Sequence, residues 1–256
     1  MDDAIGELER AAALHWRAPE EERLGGWLLR AARGFTGRAN STLAVGDPGM
    51  PLDDALAAVS DWYGARGLPP MIAIPAPLSA TGSAPWALDT YLSERAWSTR
   101  PVPAFVMTAD LPGPAGSPDP PPGTELRMDA VPDEAWLALH RYRGQHPPLV
   151  DRDLLMSAEW QRFASIRDST GAPLAIARLS VAGGWAGITA VEVSAAHRRQ
   201  GLGTLVTQAA CAEAARQGVN RVFLQVETAN AAALALYEQC GFRYSHRYHY
   251  RLAPPQ

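Results

Sequence analysis

Between Asp110 and Gly123 the chain reads DLPGPAGSPDPPPG, six prolines and three glycines in 14 residues. Proline lacks the N–H that a helix interior or central strand needs, and glycine loses the most backbone freedom on ordering. No regular element is expected through such a stretch, which reads as a semi-rigid linker. The chain is therefore expected as two lobes, residues 1–109 and 124–256, joined by residues 110–123. Its 256 residues suffice for two domains of about 100–150 residues each.

Composition narrows the function classes. Apolar residues make up 47% and charged residues 20%, a globular balance. The net charge is −4 and no basic run interrupts it, so no nucleic-acid partner is expected. No apolar run reaches the ~18 residues of a membrane helix. Met1–Arg10 is acidic, without an apolar signal core, so a cytoplasmic chain with no membrane partner is expected. Cys211 and Cys240 are the only cysteines, in no metal-ligand or disulfide-scaffold spacing; no metal is expected. All 23 basic residues are arginine. Without lysine there is no Schiff-base lysine, P-loop lysine or lysine base.

The first half reads β-β-α-β-α-β. Asp3–His15 is helical, with Ile5, Leu8, Ala12 and Trp16 on one stripe. Trp27–Ala32 and Ala39–Val45 read as strands of a hairpin around Arg33–Arg38. A helix over Leu52–Arg66 carries Asp53 and Asp54 in its first turn, where the helix dipole favours them. Met71–Ile74 is a strand, Asp89–Arg95 a helix and Val102–Thr108 a strand. The second half opens with a strand, Thr124–Asp129, and helices Pro132–Tyr142 and Leu149–Ser157. Strands follow at Gln161–Arg167, Ala172–Val181 and Trp185–Ser194. Helix Leu202–Gln217, strand Arg221–Val226, helix Asn230–Cys240 and strand Phe242–Arg251 complete it.

One stretch carries chemistry. From Val191, Glu192 and Val193 an apolar strand enters the turn Ser194-Ala195-Ala196-His197-Arg198-Arg199-Gln200-Gly201, and the helix opens on Leu202-Gly203-Thr204. Glycine lets the backbone approach a ligand and take conformations a side chain forbids. A helix N-terminus supplies unpaired N–H groups and partial positive charge. Together they make a cradle suited to a diphosphate. It is neither a Walker A loop nor a dinucleotide fingerprint, since neither spacing is present. A tight strand-to-helix connection that needs glycine only for sterics has the same local pattern.

Two motifs, Arg198-x-x-Gly201-x-Gly203 and Asn230-x-x-Ala233-x-x-x-Tyr237-x-x-x-Gly241-Phe242, occur in this element order. Over residues 124–256 they resemble the GCN5-related N-acetyltransferase (GNAT) superfamily. The first half, with Gly26-Trp27-Leu28-Leu29-Arg30 and Arg38-Ala39-Asn40-Ser41, looks like the degenerate N-terminal lobe of tandem acetyltransferases from high-GC bacteria. The fold class implied is α/β (α+β): two GNAT-like lobes, each a mixed, mostly antiparallel twisted sheet flanked by helices. The first lobe has no Arg-x-x-Gly-x-Gly and is expected to bind no coenzyme A.

The resemblance implies an acetyl-CoA-dependent N-acetyltransferase without a metal, acting on a primary amine of a small molecule or protein. The alternative is a non-catalytic acyl-CoA-binding regulatory module. Coenzyme A would lie on Arg198, Arg199, Gln200, Gly201, Leu202, Gly203 and Thr204, with its pantetheine arm along Val191–Val193. Asn230 and Ala233 would flank it. Tyr237 would sit beside the sulfur, or be a half-buried core tyrosine. Asn230 is equally a preferred helix cap. Glu192 is the candidate base, or an outward carboxylate paired with an arginine. His140, Tyr142 and His146 fall in the family's substrate segment. His197 reads as a loop residue and Cys211 as core. An acidic chain suits a cationic acceptor, and a homodimer is compatible with all of this.

Overall fold

The computed structural model describes residues 3–78, 87–111, 113, 116–141, 144–145 and 150–255. Tyr142 and His146, singled out by sequence, lie outside the described residues. The fold is mixed α/β, as the sequence implies, with a large mixed sheet flanked by helices. The chain forms two compact units. The first comprises Met1–Val106, Glu227–Ala229 and Tyr244–Gln256; the second comprises Met107–Val226 and Asn230–Arg243.

In the first unit, α1 (Asp3–Ala13) precedes β1 (Glu20–Leu24), β2 (Trp27–Ala31) and β3 (Thr42–Leu43). Then come α2 (Leu52–Gly64), β4 (Met71–Pro77), α3 (Ala87–Glu94) and β5 (Ser98–Thr99). The expected hairpin around Arg33–Arg38 is present, since β2 pairs antiparallel with β3 at Leu28↔Leu43; a second hairpin precedes it, in which β1 pairs with β2, from Glu20↔Ala31 to Leu24↔Trp27. The sequence of β1, Glu-Glu-Glu-Arg-Leu, has no apolar alternation to mark a strand, because it is an exposed edge. The expected strand Ala39–Val45 shrinks to β3. Asn40 explains this. Its side-chain oxygen accepts the N–H groups of Ala32 and Gly34, each at 2.8 Å, and its amide donates to Thr36 O at 2.8 Å. These local bonds satisfy backbone that a ladder would otherwise use. The core under this sheet contains Trp27, Leu29, Val59, Tyr63, Ile72, Ile74 and Leu92.

β6 (Ala104–Asp110) ends at the Pro/Gly-rich stretch, and no helix or strand intervenes among the described residues before β7 (Thr124–Asp129). The second unit continues with α4 (Glu134–Leu139), α5 (Val150–Leu155), β8 (Trp160–Asp168), β9 (Pro173–Ala182) and β10 (Trp185–Val193). After a 3-10 turn (Ala195–His197) come α6 (Leu202–Arg216), β11 (Arg221–Glu227) and α7 (Ala231–Gln239). Strands β7, β8, β9 and β10 pair antiparallel in succession, and β10 pairs parallel with β11. Alternation gives the sheet two faces. Ala164, Ile166, Ala175 and Ala177 pack under Leu202 and Val206 of α6. Phe163, on the other face, meets Trp136 of α4 edge-on at 5.1 Å.

The last strand, β12 (Arg243–Leu252), pairs with β4 from His246↔Pro77 to Leu252↔Met71. It therefore joins the first unit, and the partition differs from a linear cut at residues 110–123. His246 is buried there, its Nε2 2.8 Å from Glu9 Oε1 of α1.

Candidate active site

The parallel ladder between β10 and β11 is short. It covers Ala186↔Val222, Gly187↔Phe223 and Ile188↔Leu224, then stops. Beyond it β10 keeps its antiparallel pairing with β9, after a register shift between Thr189 and Glu192. Ala190 sits in that bulge at φ +53. A bulge turns the strand and re-aims its side chains. The result is a notch whose β10 wall is Val191–Val193. Ser194 N–H donates to Leu174 O of β9 at 2.8 Å. By strand alternation, Val193 turns its N–H and C=O the other way, into the notch. Its C=O already accepts the Arg198 Nε–H at 3.3 Å.

At the end of this wall the chain turns through Arg199, at φ +64, and Gly201, at φ +78 and ψ −3. Gly201 caps α6 without any side-chain hydrogen bond, and the first turn of α6 holds no acidic residue. The first N–H groups of a helix have no acceptor inside it, so Leu202, Gly203 and Thr204 present donors at its positive end. A Cβ built on Gly201 meets nothing within 4 Å, whereas one on Gly203 would lie 2.6 Å from Leu236 Cδ1 of α7 and 3.5 Å from Val193 Cγ2. The two glycines thus serve different ends. Gly201 allows a left-handed turn on an open surface; Gly203 lets α6 pack against α7. Arg198, Arg199 and Gln200 are exposed around the turn.

Glu192 lies in the same wall, half-buried. Its Oε1 is 3.3 Å from an Arg198 guanidinium nitrogen. The carboxylate has an arginine partner, as one sequence alternative expects, and is partly withdrawn from water. Burial pushes its carboxyl above the ordinary 4.5, against the pull of Arg198, His140 and Arg141. His140 is buried at the end of α4, its ring 5.5 Å from Trp136. Tyr237 on α7 is only 8% exposed. Burial pushes its phenol far above 10.0, and the fields of Cys240 and Glu192 add to the rise.

Asn230 caps α7: its side-chain oxygen accepts Ala233 N–H at 3.2 Å, and the residue is exposed. His197 is a turn residue whose Nδ1 is 2.8 Å from Ser194 Oγ. Burial pushes the Cys211 thiol up to about 12 and that of Cys240 up to about 11, so neither is a thiolate near neutrality. The bulge at Ala190 and the seat of Leu236 against Gly203 were not among the sequence expectations. Nothing in an alanine or a leucine announces them.

Residues 3–251 match a family model described as "Probable histone acetyltransferase Rv0428c C-terminal". The chain belongs to this family. It is a GNAT-superfamily acetyltransferase. This acetyltransferase is 29% identical over 261 residues to "Uncharacterized N-acetyltransferase YobR" of Bacillus subtilis, covering 98% of its own chain and 99% of that one. It is 28% identical over 262 residues to "Probable histone acetyltransferase Rv0428c" of Mycobacterium tuberculosis, covering 99% and 74%. Solved structures share its fold. A GCN5-related N-acetyltransferase from Kribbella flavida matches with a TM-score of 0.70 at 19% identity, over 98% of this chain and 96% of that one. A tandem GNAT protein from the clavulanic acid biosynthesis pathway matches with a TM-score of 0.69 at 16% identity, over 98% and 88%. Among the described residues of the acetyltransferase, no helix is long and apolar enough to cross a membrane.

Proposed function

We propose that the acetyltransferase binds one acetyl-CoA in the notch beside β10 and catalyses direct transfer to a primary amine. The observation that carries this reading is the ladder that stops at Ile188 beside an uncapped, basic helix N-terminus. The residues fit the cofactor. N–H groups at Leu202, Gly203 and Thr204 and the turn through Arg198, Arg199, Gln200 and Gly201 suit a diphosphate. Val191 and Val193 suit an extended arm that adds to the strand edge. Ala233 and Asn230 open the neighbouring helix, although the Asn230 oxygen is engaged in its cap. When bound, acetyl-CoA supplies an acetyl group activated as a thioester.

The chain's own residues divide the remaining work. A primary amine is largely protonated at neutral pH. Glu192, with its carboxyl raised toward neutrality, accepts that proton directly or through a water. Val193 N–H is the donor toward charge developing on a carbonyl oxygen. Tyr237 keeps its proton throughout, because burial holds the phenol neutral. It therefore acts as a hydrogen-bond donor that orients and stabilises the leaving sulfur. An acidic chain favours a cationic acceptor, either a small amine or a lysine or N-terminus of a protein. The relative described as a probable histone acetyltransferase brings basic protein tails into the panel to be tested.

Calorimetry with coenzyme A should return one site per chain, because residues 1–109 contain no Arg-x-x-Gly-x-Gly. Thiol release from acetyl-CoA should then appear with one or more amines of the panel. Two sites per chain, or no binding, would overturn the reading. Tyr237→Phe should leave coenzyme A affinity nearly intact, because the ring still packs. It should lower kcat by about tenfold to a hundredfold, at or below the low end for proton-handling groups. A hydroxyl without a role beside the sulfur would leave kcat unchanged.

A further inference from the structure

The sheet of the first unit has a second face that its main core leaves unused. Trp27, Leu29 and Ala44 enter that core. Alternation sends Leu28, Leu43 and Val45 to the opposite side, where they form a separate small cluster with Ala13 of α1. Those four residues line one side of a cavity of about 410 Å³, within the ~300–1,000 Å³ range of small-molecule sites. Leu14 stands at its mouth, 43% exposed.

The wall of this cavity carries three arginines, Arg10, Arg17 and Arg23, against two glutamates, Glu21 and Glu22. Glu21 is engaged by Ala18 N–H at 3.2 Å and by the Arg17 guanidinium at 3.8 Å. Glu22 accepts the Trp62 indole N–H at 2.6 Å. Arg10 and Arg23, also on the wall, make no ion pair among the described residues. An apolar floor under two uncommitted guanidinium groups complements a molecule with a hydrocarbon tail and an anionic head. Arginine is suited to that head, since its fork matches a carboxylate with two parallel hydrogen bonds.

We propose that this cavity is a binding site for an aliphatic monocarboxylate, its chain against Leu28, Leu43 and Val45 and its carboxylate between Arg10 and Arg23. The proposal is independent of the acetyl-transfer reading, because none of these residues belongs to the notch. Octanoate and octan-1-ol, which share a chain and differ in the head, are the probes for calorimetry on the full chain. Octanoate should bind saturably at one site per chain, and octan-1-ol at least about tenfold more weakly. The surface double variant Arg10→Gln/Arg23→Gln should bring octanoate down to the affinity of the alcohol, with unchanged circular dichroism and Tm. Leu14→Glu, a like charge at the mouth, should weaken octanoate further than it weakens the alcohol. Equal octanoate affinity in the wild type and the double variant would overturn the site. So would a lack of saturable binding, or a chain that sediments as a dimer and becomes a monomer on Leu14→Glu, which would make this face a self-interface.

Discussion

Glu192→Gln is expected to lower kcat/KM by about 10²–10⁴-fold and to abolish the acidic limb of its pH profile. The sign follows from the proton. A base must be deprotonated, so activity falls as pH drops through its pKa. Burial raises that pKa above 4.5, so the limb lies at higher pH than for an exposed glutamate. Arg198 opposes the rise through its charge and its hydrogen bond. Arg198→Gln should therefore move the acidic limb of kcat, at saturating acetyl-CoA, further upward. The Glu192→Gln variant should also fold. A carboxyl with a raised folded-state pKa costs stability above its unfolded-state value, and glutamine removes that cost. An unaltered limb with less than about a tenfold loss would exclude Glu192 as the base and shift the role to His140.

Gly203→Val is expected to cost about 1–3 kcal/mol of stability, as overpacking does. In a chain of this size that lowers Tm by roughly 2–4 °C per kcal/mol. Coenzyme A affinity should fall with it, because α6 cannot keep both its seat on α7 and its first turn in place. Sequence left two needs for glycine open at this turn, close approach to a ligand and the sterics of a tight strand-to-helix connection. The structure supplies a steric one at Gly203, which is buried and where a Cβ would strike the end of the Leu236 side chain. Thermal unfolding of Gly203→Ala, Leu236→Ala and the double variant separates the two accounts. A steric origin predicts a favourable coupling of about 0.5–3 kcal/mol between the sites. Gly201→Ala should show no coupling to Leu236, its cost of about 1–2 kcal/mol coming from the left-handed backbone alone. Additive losses at Gly203 and Leu236 would exclude the clash.

How much of this was legible in sequence depends on how far a residue must look for its partner. The turn at Gly201 and the Asn230 cap on Ala233 N–H are settled within a few residues of chain, by φ preferences and local hydrogen bonds. They could be read directly. The element order of the second unit was legible for the same reason, since α6 and its neighbouring strands carry their own apolar periodicity.

What the sequence determined by itself was therefore local: which segments turn, which cap, and where a helix begins. Only the tertiary structure decided the rest. The mostly charged β1 is a strand because β2 offers it an edge, and β12 lies beside β4 because its buried Tyr248 and Tyr250 need an apolar cover. The bulge at Ala190 exists because β10 must leave β11 while staying with β9. Glu192 is both paired and raised because Arg198 and the wall of the notch reach it together. In each case the partner is distant in the chain, and a single sequence records a residue's own preferences without recording the surface that will bury it.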